Sequence, residues 1–210
     1  MTGRPKTFDI NRLLDTSVEL FWRQGYQGTS IRDVAKAANL TTGTLYNEFG
    51  GKDDLYAATL ERYFLQVIKP RVDTILLADE PECLKGSKDK SGFARLHFFL
   101  TSSVHKLPAS VAHQACLLIN TSNELGPGDT AIHKVLDKAN RYINNAVKTV
   151  LLNEASPKGD MTPASIKKLL LQLHIFMTGL LITAKQTKDT KILLPSVDAF
   201  VSQLKLSIHH

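Results

Sequence analysis

Residues 29–56 read TSIRDVAKAANLTTGTLYNEFGGKDDLY, two short helices joined by a tight turn, with a lysine at the head of a third helix. Ser30 and Asp33 make a capping-box-like start, which offers a side-chain oxygen to the orphan N–H groups of a first turn. Ile31, Val34, Ala35 and Ala38 then recur at i, i+3, i+4 and i+7, one apolar stripe on a short helix. Asn39 tolerates the left-handed conformation a helix exit needs, and Leu40 plugs the turn. Thr41 or Thr42 caps the next helix, whose Leu45 and Phe49, four apart, face inward. Capped helix, turn and capped helix in this order form the unit that lays a small helix in the DNA major groove.

The outward side of that second helix carries Thr41, Thr42, Thr44 and Asn47, with Tyr46 alongside. Threonine offers a hydroxyl to phosphates or bases and a methyl to thymine, and asparagine pairs with adenine N6 and N7. Gly43 has no Cβ and lets backbone approach a phosphate, and Lys52 is placed to neutralise one. A polar face on an isolated helix is ordinarily only solvated. The order of caps, turn and lysine makes the DNA-reading interpretation the better one here.

Three segments together resemble the DNA-binding domain of the tetracycline-repressor (TetR) family of bacterial regulators. They are Gly3-Arg4-Pro5-Lys6, Phe21-Trp22-Arg23-Gln24-Gly25-Tyr26-Gln27-Gly28-Thr29-Ser30 and Leu45-Tyr46-Asn47-Glu48-Phe49-Gly50-Gly51-Lys52. The resemblance implies DNA contacts from Thr29, Thr42, Gly43, Thr44, Tyr46, Asn47 and Lys52, with the capping residues Ser30 and Thr41 in the same set. It also implies a basic arm, Arg4 and Lys6, reaching a groove. Glu48 departs from the aromatic residue or histidine usual at its position. It either points away from the phosphates or accepts from a cytosine amino group.

Composition alone would not have led there. The net charge of +6 suggests a polyanion partner, but residues 1–62 hold eight Lys/Arg and eight Asp/Glu, so the excess lies elsewhere. Two cysteines and no secretory leader point to a reducing cytoplasm. The apolar run from Leu169 to Ala184 is broken by Gln172 and His174 and is short for a bilayer, so no membrane partner is expected. His97, His105, His113, His133 and His174 show no ligand spacing, and no phosphate loop, nucleophile elbow or carboxylate pair is visible. No metal, cofactor or catalytic residue is therefore expected.

The remaining chain reads as long helices between turn-rich breaks, without strand alternation. The fold class is all-α, an N-terminal three-helix head (1–51) followed by a larger helical effector-binding and dimerisation domain (52–210). Expected helices cover Phe8–Arg23 with Leu14, Val18 and Phe21 inward, Lys52–Ile68 ended or kinked by Pro70, Phe93–Lys106, Pro108–Leu125, Asp129–Ala155, Pro163–Lys185 and Pro195–Ile208. The apolar band Ile166 to Ala184 is wider than one core-facing stripe needs, and Val197 to Ile208 carries a matching stripe. By family resemblance these last two helices form a homodimer, through Leu173, Met177, Gly179, Leu180, Phe200 and Leu204. Two heads about 34–36 Å apart would engage successive major grooves of a palindromic operator.

The segment Gln114 to Pro127 resembles one found in a branch of the family whose members sense electrophiles or oxidants through its cysteine, here Cys116. His113 lies one helical turn away, and Lys185 matches a lysine of the same branch. The alternative is that Cys116 is a small hydrophobe packed in a core. A Cys83–Cys116 disulfide stays open. The expected function is a dimeric repressor released by a small molecule or electrophile; the alternative is a helical thiol enzyme or small-molecule carrier with a vestigial head.

Overall fold

The computed structural model describes residues 8–105, 116–154, 162–187 and 189–209, and every regular element among them is helical. The fold is all-α. Two compact units divide the chain, Met1–Gln66 with Leu117–Asp137, and Val67–Cys116 with Lys138–His210. The boundary expected between residues 51 and 52 falls inside the first unit.

In the first unit, α1 (Ile10–Gln24) starts at Asp9, whose side chain accepts from the amides of Asn11 and Arg12, and ends at Gly25. Its buried side is Leu13, Ser17, Leu20, Phe21 and Trp22. The expected stripe through Leu14 and Val18 is rotated by about one residue. Ser17 conceals this, because its hydroxyl donates to the Leu13 carbonyl at 2.8 Å and sits in the core as if apolar. Helices α2 (Ile31–Ala37) and α3 (Thr42–Phe49) follow, and α4 (Lys52–Tyr63) packs across α1. Ring pairs Phe21–Tyr56 and Trp22–Tyr63, with centroids 4.5 and 5.0 Å apart, fill that crossing. Arg62 grips both carboxylate oxygens of Asp15, at 2.7 and 2.9 Å, over its edge.

The helix after α4 does not stop at Pro70. A π-helical stretch, Phe64–Ile68, leads into α5 (Lys69–Val72), and a second, Asp73–Leu77, follows it. Proline cannot donate to the carbonyl four residues back, and the wider turns on either side carry the chain past the missing bond. Along this stretch Phe64 and Ile68 are buried and Val67 is half-buried.

The second unit adds α6 (Gly92–His105), most of α8 (Ala131–Glu154), α9 (Pro163–Gln186) and α10 (Leu194–His209). Arg71 reaches Ser102 and Ser103 of α6 at 2.9 and 3.0 Å, and Glu154 accepts the Gly92 amide at 2.6 Å. By length and composition α9 could cross a bilayer, which the interrupted run did not suggest. Its Ile166, Leu169, Leu173, Leu180, Leu181 and Ala184 are buried in the unit. Of the helix expected over Pro108–Leu125, the described part is α7 (Leu117–Leu125), in the first unit.

Candidate nucleic-acid interface

The caps form as the sequence requires. Ser30 Oγ accepts the Asp33 amide at 3.2 Å, and Asp33 accepts the Ser30 amide at 2.8 Å, a reciprocal box that starts α2. Those bonds hold the Asp33 carboxyl below its usual range, the bond from the Ser30 hydroxyl contributing most. Asn39 takes the left-handed conformation, φ 54, that closes α2. Thr41 caps α3, its hydroxyl oxygen accepting the Thr44 amide at 3.2 Å.

Leu45, 1% exposed, pins α3 to the unit, and Phe49 is half-buried. The opposite side is open: Thr41, Gly43 and Asn47 are exposed, Thr42 and Thr44 are half-exposed, and Tyr46 is 53% exposed. The Thr41 and Thr44 hydroxyls lie 2.9 Å apart and share one bond, which leaves one hydroxyl proton to give outward. Glu48 is half-buried beside them. Next in the chain, Gly51 starts α4 without a side-chain cap, and that first turn holds half-buried Lys52 with Asp53 and Asp54. Backbone amides and a lysine at a helix N-terminus suit a phosphate oxygen. Lys52 is held there by the face of Tyr26, its Nζ 4.1 Å from the ring centroid.

Thr29 takes a different place. It is 1% exposed, and its hydroxyl donates to the Gly25 carbonyl at 2.8 Å, so this side chain builds the α1–α2 turn instead of facing outward. Arg4 and Lys6 lie outside the described residues, as does His113.

Sequence reasoning missed Tyr26. Its phenol donates to Asp53, its ring packs 4.9 Å from Tyr56, and burial with the Asp53 contact pushes its pKa up to about 12. Only its position after a helix-ending glycine could have marked it.

Away from the head, Cys83 and Cys116 are not disulfide-bonded, and Cys116 is half-buried just ahead of α7. Lys185 is exposed in the last turn of α9. Of the expected dimer residues, Leu173, Leu180 and Leu204 are buried within the chain, Met177 and Phe200 are half-buried, and Gly179 is exposed. The uncovered apolar side of α9 is instead Leu171 and Ile175, 58% and 62% exposed, continued by Gly179. Beside it a groove of about 260 Å³ runs along Ile175, Phe176, Phe200 and Leu204, where the two phenyl rings stack 4.0 Å apart. Among the described residues no three His, Cys, Asp or Glu side chains gather as a metal site.

Residues 13–59 match the family model for bacterial regulatory proteins, tetR family. The chain is 26% identical over 185 residues to the HTH-type transcriptional repressor ComR of Escherichia coli (strain K12), an alignment covering 88% of this chain and 83% of that one. Its fold is similar to SCO4454, a TetR-family transcriptional regulator from Streptomyces coelicolor, with a TM-score of 0.73, 18% identity and 95% of each chain covered. It is also similar to the TetR family regulator CifR, solved with a 26-bp operator duplex, at a TM-score of 0.71 and 21% identity over 95% and 98% of the chains. All three are named as regulators of transcription.

Proposed function

The chain belongs to the tetracycline-repressor family of helix-turn-helix transcriptional regulators, and on that premise we propose that it is a cytoplasmic homodimeric repressor of a palindromic operator. The observation that carries this reading is the outward side of α3. Its hydroxyls, phenol and amide stay open while Leu45 anchors the opposite side. Exposed Thr41, Gly43, Tyr46 and Asn47, half-exposed Thr42 and Thr44, the cap residue Ser30, and Lys52 are the contacts, with Arg4 and Lys6 as the groove arm. A second copy accounts for the uncovered stripe of Leu171, Ile175 and Gly179, where an added Cβ at 179 would meet nothing within 4 Å. The hydroxyl oxygen of Thr178, in the same turn, is buried without a hydrogen-bond partner among the described residues. The 26-bp duplex bound by CifR is long enough for two half-sites one helical turn apart.

Release follows when a small molecule or electrophile acts beyond the head. Cys116 is the entry point for an electrophile, because it directly precedes α7 in the chain and α7 belongs to the head's own unit; Lys185 and His113 are weaker candidates. A gel shift against the chain's own upstream DNA, with and without an electrophile under reducing conditions, tests both parts. Binding to no inverted repeat refutes the repressor reading. A Cys116→Ser protein that still lets go after electrophile treatment returns Cys116 to core packing.

A further inference from the structure

One carboxylate holds the turn that carries Tyr26. Glu124, in the last turn of α7, accepts the Tyr26 backbone amide through Oε2 at 2.7 Å. Its Oε1 occupies the space that a side chain at position 25 would need, 2.3 Å from an ideal Cβ. Gly25 stands at φ 78, ψ 171, a region essentially confined to glycine, so this residue both sets the turn and admits the carboxylate. Tyr26 carries the contact onward, its phenol to Asp53 and its ring face beneath Lys52. Lys52 and Asp53 open α4. The whole chain of contacts lies within one compact unit.

The dipole of the helix it meets does not favour Glu124 here. It sits at the C-terminal end of α1, the negative end of that helix dipole, and on the unit that must approach a polyanion. What a carboxylate supplies at this place is a strong acceptor for one amide.

We propose that Glu124 is a positioning residue for operator binding. It fixes Tyr26, and through the Tyr26 ring holds Lys52 where a phosphate meets it, so displacement of α7 slackens the grip on DNA. The inference rests on the reading of Lys52 as a phosphate contact and names the control of that site.

The test uses a duplex selected on the wild-type protein from a randomised pool. Affinities are measured over a range of salt for wild type, Glu124→Ala, Glu124→Gln, Lys52→Ala and the double variant Glu124→Ala/Lys52→Ala. Glu124→Ala is expected to bind about tenfold more weakly, the loss of one charge-assisted bond, with a shallower salt dependence. Glu124→Gln keeps an acceptor oxygen and stays within about twofold of wild type. In the Lys52→Ala background, Glu124→Ala adds no further loss. Wild-type affinity for Glu124→Ala, additive losses, or Glu124→Gln as weak as Glu124→Ala each overturn the proposal. A lowered thermal midpoint with an unchanged salt slope assigns Glu124 to stability alone and overturns it too. If the wild type selects no duplex, the DNA-reading function itself fails, a separate outcome that removes the proposal with it.

Discussion

The hydroxyl pair Tyr56–Thr121 gives a double-substitution test whose sign is fixed by proton placement. Tyr56 is 1% exposed and Thr121 is fully buried, with oxygens 2.7 Å apart. Thr121 Oγ1 also lies 2.7 Å from the Leu117 carbonyl, which can only accept, so the threonine proton goes there and the phenol must donate to Thr121. Burial pushes the Tyr56 phenol above its ordinary range, which keeps that proton in place. Tyr56→Phe removes the donor and leaves the threonine proton placed, a cost of about 1 kcal/mol. Thr121→Val strands a buried O–H without an acceptor and costs about 2 kcal/mol. The double variant removes both groups at nearly constant shape and should lie within about 0.5 kcal/mol of wild type. At roughly 2–4 °C per kcal/mol for a chain of this size, Thr121→Val melts about 4–8 °C lower and the double variant within about 2 °C. Thermal unfolding followed by circular dichroism reads all four proteins. Additive losses, or Thr121→Val no worse than Tyr56→Phe, refute the proton assignment.

Lys52→Ala should weaken operator binding and lower the slope of log affinity against log salt by about 1.8, one phosphate per protomer in a dimer. Tyr46→Ala should weaken binding at an unchanged slope, because a phenol releases no counterion; equal slopes for both variants would remove the phosphate assignment. Ile175→Glu places a charge on a side chain 62% exposed in the monomer, so it should leave folding intact while giving a monomer by sedimentation and abolishing tight operator binding. A persistent dimer would place the interface elsewhere. Tyr26 ionises near 10.0 in the unfolded chain and near 12 in the fold. The raised value favours the fold fully below pH 10, and the contribution is lost as pH climbs from there through 12. Tyr26→Phe should flatten that alkaline limb in a stability–pH profile, and an unchanged limb would count against it.

The head could be read from sequence because its determinants are local. The Ser30–Asp33 box, the left-handed Asn39 and the Thr41 cap each act within a few residues, and the structure forms all three. Departures arise where a side chain bonds to nearby backbone or a helix changes its turn, which apolar periodicity does not register. Ser17 can be buried because its hydroxyl donates to the Leu13 carbonyl, and past Pro70, which the sequence marks as an end or a kink, π turns carry the helix on. Thr29 was assigned outward by family pattern, but its hydroxyl is spent on Gly25. On α9 the apolar band was visible, but which side the chain itself covers depends on α6 and α10, and no period in α9 encodes that. Glu124 and Tyr26 stand 98 residues apart, and no pattern in either segment announces the other.

Whether α7 can work as a switch is a question of magnitude. To take a regulator from 99% to 1% bound, an effector must favour the released state by about 5.5 kcal/mol. Two bonds between α7 and the head, Glu124 to the Tyr26 amide and Tyr56 to Thr121, are worth about 1.5 and 1 kcal/mol in one protomer. In the proposed dimer two protomers reach about 5 kcal/mol, so complete release of α7 from both heads comes close to the requirement, while release from one head alone, about 2.5 kcal/mol, falls well short. Control through this contact therefore requires both protomers to respond together, and linkage then makes operator DNA resist effector binding by the same factor. A modification confined to one protomer should leave most of the operator occupied, and only a dimer altered on both sides should let go.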